Sequence, residues 1–225
     1  MSDNTPQDPS ADLKQAASDT VRAGVDIHDR VRDITLLALQ NHRFDRSGIR
    51  DVVRGVTEGV ALGAEGSRVE MREALSEALR GIDQALVKSA QAGADALKQL
   101  ATTGKDFSES ELKQSLANLK KLEDDFIATV SQVAEAANER VRPELRELIG
   151  KTQRTGTETG KHLAITMTEF AHRFSVASID TTIAGLEAAS EFGTRFAMLA
   201  SGMLAGMADA LRERKTENQD SQKAG

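Results

Sequence analysis

"RGVTEGVALGAEG", running from Arg54 to Gly66, places glycine at Gly55, Gly59 and Gly63, every fourth position, with Gly66 just beyond. The flanking residues carry helical periodicity, and a mid-helix glycine costs about 1 kcal/mol against alanine. Three of them in three turns forgo roughly 3 kcal/mol. A helix keeps such residues where a neighbouring backbone must come close, because a missing Cβ lets two helices approach. Counted at about 100° per residue, these glycines lie on one flank of the apolar stripe that begins at Ile49. Farther along, the same flank carries Glu70, Glu73 and Glu77. A helix-packing interface is therefore expected at Gly55, Gly59 and Gly63, confined to this stretch.

The stripe itself runs on. Ile49, Val53, Val56, Val60, Ala64, Met71, Leu75, Ala78, Ile82, Ala85, Ser89, Gly93 and Leu97 recur three or four apart, so a helix is expected over 49–101. Upstream, Leu13, Thr20, Ile27 and Ile34 fall seven apart beside Ala17, Gly24, Val31 and Ala38, a heptad-like seam expected to form a helix over 10–41. Downstream, Gly104 reads as a helix stop. Ser108 with Glu111 forms a capping box, and Phe107 with Leu112 a hydrophobic staple. They open a third helix, 109–149, striped by Leu112, Leu116, Leu119, Phe126, Val130, Val133, Ala137 and Val141. Pro143 marks a kink or a restart within it. "GKTQRTGTETGK" (Gly150 to Lys161) is poor in helix formers and reads as a loop. A last helix is expected over 161–214, with Leu163, Met167, Phe170, Phe174, Phe192, Phe196, Leu199 and Met203 on one side. The polar ends, 1–9 and 215–225, read as disordered tails. The expectation is an all-α chain: one elongated domain, a bundle or coiled coil of about four long amphipathic helices.

Composition narrows the function classes. Of 225 residues, 39% are hydrophobic but only 3% aromatic, with seven Phe and no Trp or Tyr, so Ala, Leu, Val and Gly carry the packing. The absence of cysteine rules out disulfides, thiolate metal sites and cysteine catalysis. A net charge of −6 argues against a nucleic-acid partner, which asks for a basic surplus. The N-terminus has no cationic n-region or apolar h-region, so it does not read as a secretory signal. No run reaches the ~20 apolar residues of a transmembrane span. A cytoplasmic protein is expected, peripheral at most on a granule or membrane surface.

Few constellations invite chemistry. Glu169 and His172 form one Glu-x-x-His, and Glu158 and His162 share its side, but this group faces away from the Leu163, Met167, Phe170 stripe. A bundle di-metal site needs inward ligands and a second such motif. His28 and His42 are isolated. "TGTETGKH" (Thr155 to His162) lacks the first glycine, the Ser/Thr and the preceding strand of a phosphate loop. Arg43, Arg46, Arg50 and Arg54 form a short basic ridge broken by Asp45 and Asp51, read as a solvated face pairing with neighbouring acids, with anionic-surface binding the weaker alternative. No catalytic residue, cofactor or metal is expected.

Two features point to contact. The four-residue spacing of small residues recurs at Gly156, Gly160 and Ala164, at Gly185, Ala189, Gly193, Ala197, Ser201 and Ala205, and at Gly202, Gly206 and Ala210. Gly185, Ala189 and Gly193 join the expected packing interface. "FAMLASGMLAGMA" (Phe196 to Ala208) has no charge over thirteen residues. A helix apolar on all sides is buried or set against something apolar. Phe196, Met198, Leu199, Met203, Leu204 and Met207 are the expected apolar-surface contacts, with methionine supplying adaptability.

In overall character, with "ALVKSAQAGADALKQL" (Ala85 to Leu100) and "FIATVSQVAEAAN" (Phe126 to Asn138) as examples, the chain resembles the phasins, helical proteins that coat polymer granules in bacteria. It is also similar to uncharacterised bacterial all-helical families. The phasin resemblance implies no catalysis, self-association and adsorption to a hydrophobic granule; the glycine-spaced helices depart from it. The expected function is a non-enzymatic assembly protein that self-associates and adsorbs to a lipid or polymer surface. The alternative is a purely structural homo-oligomeric bundle or interaction module.

Overall fold

The computed structural model describes residues 9–41, 45–103, 109–174 and 191–223. All elements among them are helical: α1 (Pro9–Ala23), α2 (Ile27–Asn41), α3 (Arg46–Ala64), α4 (Met71–Thr103), α5 (Glu109–Lys120), α6 (Leu122–Ala136), α7 (Val141–Thr155), α8 (Glu158–Phe174) and α9 (Glu191–Lys223). Helices more numerous than the four expected arise because the stripes are cut by turns. Gly24 adopts φ +70° and Asp26 φ +49°, left-handed conformations that end the first segment and close an αα-hairpin. The seam over 10–41 thus belongs to two helices. Glu65 to Glu70 likewise separates α3 from α4.

The first two hairpins stack in parallel. Ser10 and Leu13 meet Gly55, Lys14 meets Gly59, Ser18 meets Gly63, and Arg22 meets Gly66, so α1 and α3 advance together. In the same sense His28 and Arg32 on α2 meet Gly81 on α4, and Arg32 Nη1 lies 3.3 Å from Gln84 Oε1. Only four peptide steps join Asn41 to Asp45, a reach of about 15 Å at most, so α2 must return alongside α1. The turns stack as well: Ser67 Oγ donates to the Val21 carbonyl at 3.1 Å.

A third hairpin continues the order. Along α6, Asp125 faces Arg46 and Gln132 faces Arg54, so α6 runs parallel to α3. Asn138 Oδ1 accepts from the amides of Arg140 (3.0 Å) and Val141 (2.9 Å), turning the chain into α7, whose first turn holds Pro143. There the missing amide donor would have had no helical partner in any case. Pairs Arg72 with Glu147, Asp83 with Thr159 and Lys98 with Glu169 carry α7 and α8 along α4. Paired helices stacked in this way are the arrangement of helical repeats. The core runs through the stack, with Val52, Val56 and Val60 of α3, Leu75, Ile82, Leu86 and Leu97 of α4, Phe126 and Val130 of α6 and Leu145 of α7. The outer side of α1 presents exposed Asp12, Gln15, Asp19 and Arg22.

Three further expectations are corrected. The supposed loop 150–161 is helical up to Thr155 and again from Glu158, broken only at Gly156 and Thr157. Lys215 to Lys223, expected to be a tail, continue α9. Pro9 is the first residue of α1 rather than the end of a tail. The capping box at Ser108 lies outside the described residues.

Candidate functional site

The glycine flank sits against a backbone of the same chain. A Cβ added at Gly59 would overlap the Lys14 carbonyl oxygen and lie 2.8 Å from Ala17 Cβ. One added at Gly63 would overlap the Ser18 carbonyl and lie 2.9 Å from Val21 Cβ. At Gly81 it would overlap the His28 carbonyl and approach the Arg32 nitrogen to 3.1 Å. Gly55 differs: its nearest neighbour is Leu13 Cδ2 at 3.4 Å, an ordinary contact. Gly59, Gly63 and Gly81 are thus positions where backbone meets backbone, and Gly81, which sequence reading passed over, belongs with the first two. Gly185 and Ala189 lie outside the described residues; Gly193 lies in α9.

The apolar stretch of α9 rests on α2 and α4. Ala200, Leu204 and Ala208, one i, i+4 row, are buried, while Phe196, Leu199, Met203 and Met207 pack partly against the core. Gln40 Nε2 reaches the Leu204 and Ala205 carbonyls at 3.4 and 3.5 Å. The opposite row is open. Met198 is 71% exposed, and Gly202 and Gly206 are exposed with nothing within 4 Å of an added Cβ. The six expected surface residues therefore divide: Leu204 faces inward, Met198 outward, and the other four lie between. An uncharged ridge of one methionine and bare backbone runs along the outside of the helix.

A second constellation was not foreseen. The N-terminus of α8 is held by carboxylates from two other helices. Asp83 Oδ2 accepts from the Glu158 amide at 2.8 Å, and Asp83 Oδ1 from the Thr159 amide (3.1 Å) and hydroxyl (2.7 Å). Glu123 Oε1 accepts from the Thr157 amide (3.0 Å) and hydroxyl (2.7 Å). Thr157 and Thr159 are buried, and an added Cβ at Gly160 would overlap the Glu123 carboxylate. These acids fill the positions that an anion takes at a free helix start. The signal was "TGTETG", where threonines and glycine cluster at a helix start, but the acids that complete it are 74 and 34 residues upstream of Thr157.

Other charged groups pair across helices or along them. Arg46 binds Asp125 through both Nε and Nη2, and this hydrogen bonding holds its guanidinium still more firmly protonated. Arg50 Nη1 stands 4.0 Å from the same carboxylate, and Arg54 reaches Gln132. Arg43 lies outside the described residues. Glu158 pairs with Lys161, whose pKa rises through that bond, and Glu169 pairs with Lys98. Among the described residues, no group of His, Asp and Glu is arranged to hold a metal, and no helix is long and apolar enough to cross a membrane.

Residues 3–213 match the family of unknown function DUF6781. The chain belongs to that family. The match spans every helix from α1 to α8 and most of α9, so in this DUF6781 chain the stacked hairpins and the α9 ridge fall within one family unit. No curated protein and no solved structure matches it.

Proposed function

We propose that this chain is a non-enzymatic assembly protein that self-associates through the outer ridge of α9. The supporting observation is the contrast between two sets of glycines. Gly59, Gly63 and Gly81 each admit a neighbouring backbone. Gly202 and Gly206 carry the same propensity cost, about 1 kcal/mol each, with no neighbour among the described residues to offset it. A second copy of α9 crossing at Gly202 and Gly206 supplies that neighbour. Sedimentation of wild type and Gly202→Leu/Gly206→Leu tests this. The wild type should form an oligomer that the double variant loses; a monomeric wild type, or an unchanged oligomer mass, refutes it.

A second reading is adsorption of the same face to a hydrophobic surface, as the phasin resemblance suggests. It is favoured by the uncharged run from Phe196 to Ala208 and by Met198 standing in solvent. Flotation with neutral phospholipid vesicles or polyester granules should retain the wild type and release Met198→Glu. Equal behaviour of the two would count against it.

A further inference from the structure

Gly156 joins α7 to α8 at φ 75°, ψ 164°, a conformation open essentially to glycine alone. It is exposed, and an added Cβ would meet nothing within 4 Å. Nothing outside the chain's own dihedrals therefore fixes the angle between the two helices at this point. What fixes it lies just beyond: the Asp83 and Glu123 carboxylates, which accept three successive amides and two buried hydroxyls at the start of α8.

Beyond these carboxylates, α8 is held along one narrow strip that also buries Thr166. Leu163 and Phe170 are its large buried side chains, with Met167 partly buried, whereas Ala164, Ile165, Thr168, Glu169 and His172 are exposed. This differs in kind from α1 on α3 and α2 on α4, where the helices touch backbone to backbone. Charge-assisted bonds shared by one pair of acids form and break together. Once α8 is released, water satisfies its first turn and the two threonines.

We propose that α8 is a detachable strap, hinged at Gly156 and latched by Asp83 and Glu123, that opens while the α1–α4 stack stays folded. This inference is independent of the α9 reading. Hydrogen exchange of the full chain, followed by mass spectrometry, tests it on Asp83→Asn and on Thr159→Val, which removes only the hydroxyl from the latch. The second variant carries the test if the first does not accumulate as folded protein. Amides of 158–170 should exchange at least about tenfold faster, the worth of one or two charge-assisted bonds, while those of α1 and α3 keep their rates. Acceleration spread equally over all helices would make α8 part of one cooperative core, and unchanged exchange in 158–170 would mean that the carboxylates do not latch it. Either result overturns the proposal.

Discussion

Replacing Gly59 by alanine should destabilise this protein, although the same change usually strengthens a helix. In an open helix the substitution gains about 1 kcal/mol. At Gly59 the added Cβ would stand 2.8 Å from Ala17 Cβ and overlap the Lys14 carbonyl. Carbon atoms pack best at about 3.5–4.0 Å, so α1 must retreat by roughly 1 Å. Overpacking of this kind costs about 1–3 kcal/mol, and the retreat also loosens Val21, which is fully buried. Less the propensity gain, the net loss reaches about 2 kcal/mol, or a fall of up to about 8 °C in thermal midpoint for a chain of this length. Gly202→Ala is the internal comparison, because its Cβ would meet nothing. Thermal unfolding followed by circular dichroism, at dilution sufficient to keep the chain monomeric, should show opposite signs for the two variants. Adding Gly63→Ala to Gly59→Ala should cost less than the sum, since one retreat of α1 accommodates both. A rise in midpoint for Gly59→Ala equal to that of Gly202→Ala would refute the reasoning.

Gly156→Ala places a Cβ on a backbone conformation reserved for glycine, and the melting midpoint should fall by an amount corresponding to about 1–3 kcal/mol despite the empty space around it. Glu135 titrates below its ordinary range because of its hydrogen bonds to Arg146, so its stabilising share is present above the ordinary carboxylate pKa and fades as pH falls through the lowered value. In Arg146→Gln the Glu135 titration, read by carboxyl NMR, should move upward, while the neutral-pH midpoint shifts by no more than about 2 °C because both side chains are more than half exposed.

Local periodicity reveals the helical character of the chain and the cleared flank at Gly59 and Gly63, because both are written in residues three and four apart. The occupant of that flank is not written there. The partner backbone at Lys14 and Ser18 belongs to a parallel helix, and parallel neighbours leave no turn in the sequence between them. The break at Gly24 is hidden by the heptad it interrupts: Gly24 fits the small side of the seam, and only its positive φ, with Asp26 beside it, shows a turn. "TGTETGK" reads as a loop because its residues favour helix poorly, yet the Thr157 hydroxyl caps the Gly160 amide and distant Asp83 and Glu123 accept the preceding amides. The end of α9 fails in the opposite direction. Arg212 to Lys223 have no apolar period, yet Arg, Glu, Lys and Gln are good helix formers without one.

The parallel stacking also sets an order on synthesis. Lys14 and its contact Gly59 stand 45 positions apart, as do Ser18 and Gly63, so the first hairpin leaves the ribosome without the surface it packs on. At about 5–20 residues per second, α1 waits roughly 2–9 s for its glycines to be made. During that interval Ala17 and Val21, both fully buried in the finished fold, face solvent or a chaperone. Unlike a helix whose neighbour in sequence is its main neighbour in space, α1 cannot settle until α3 arrives.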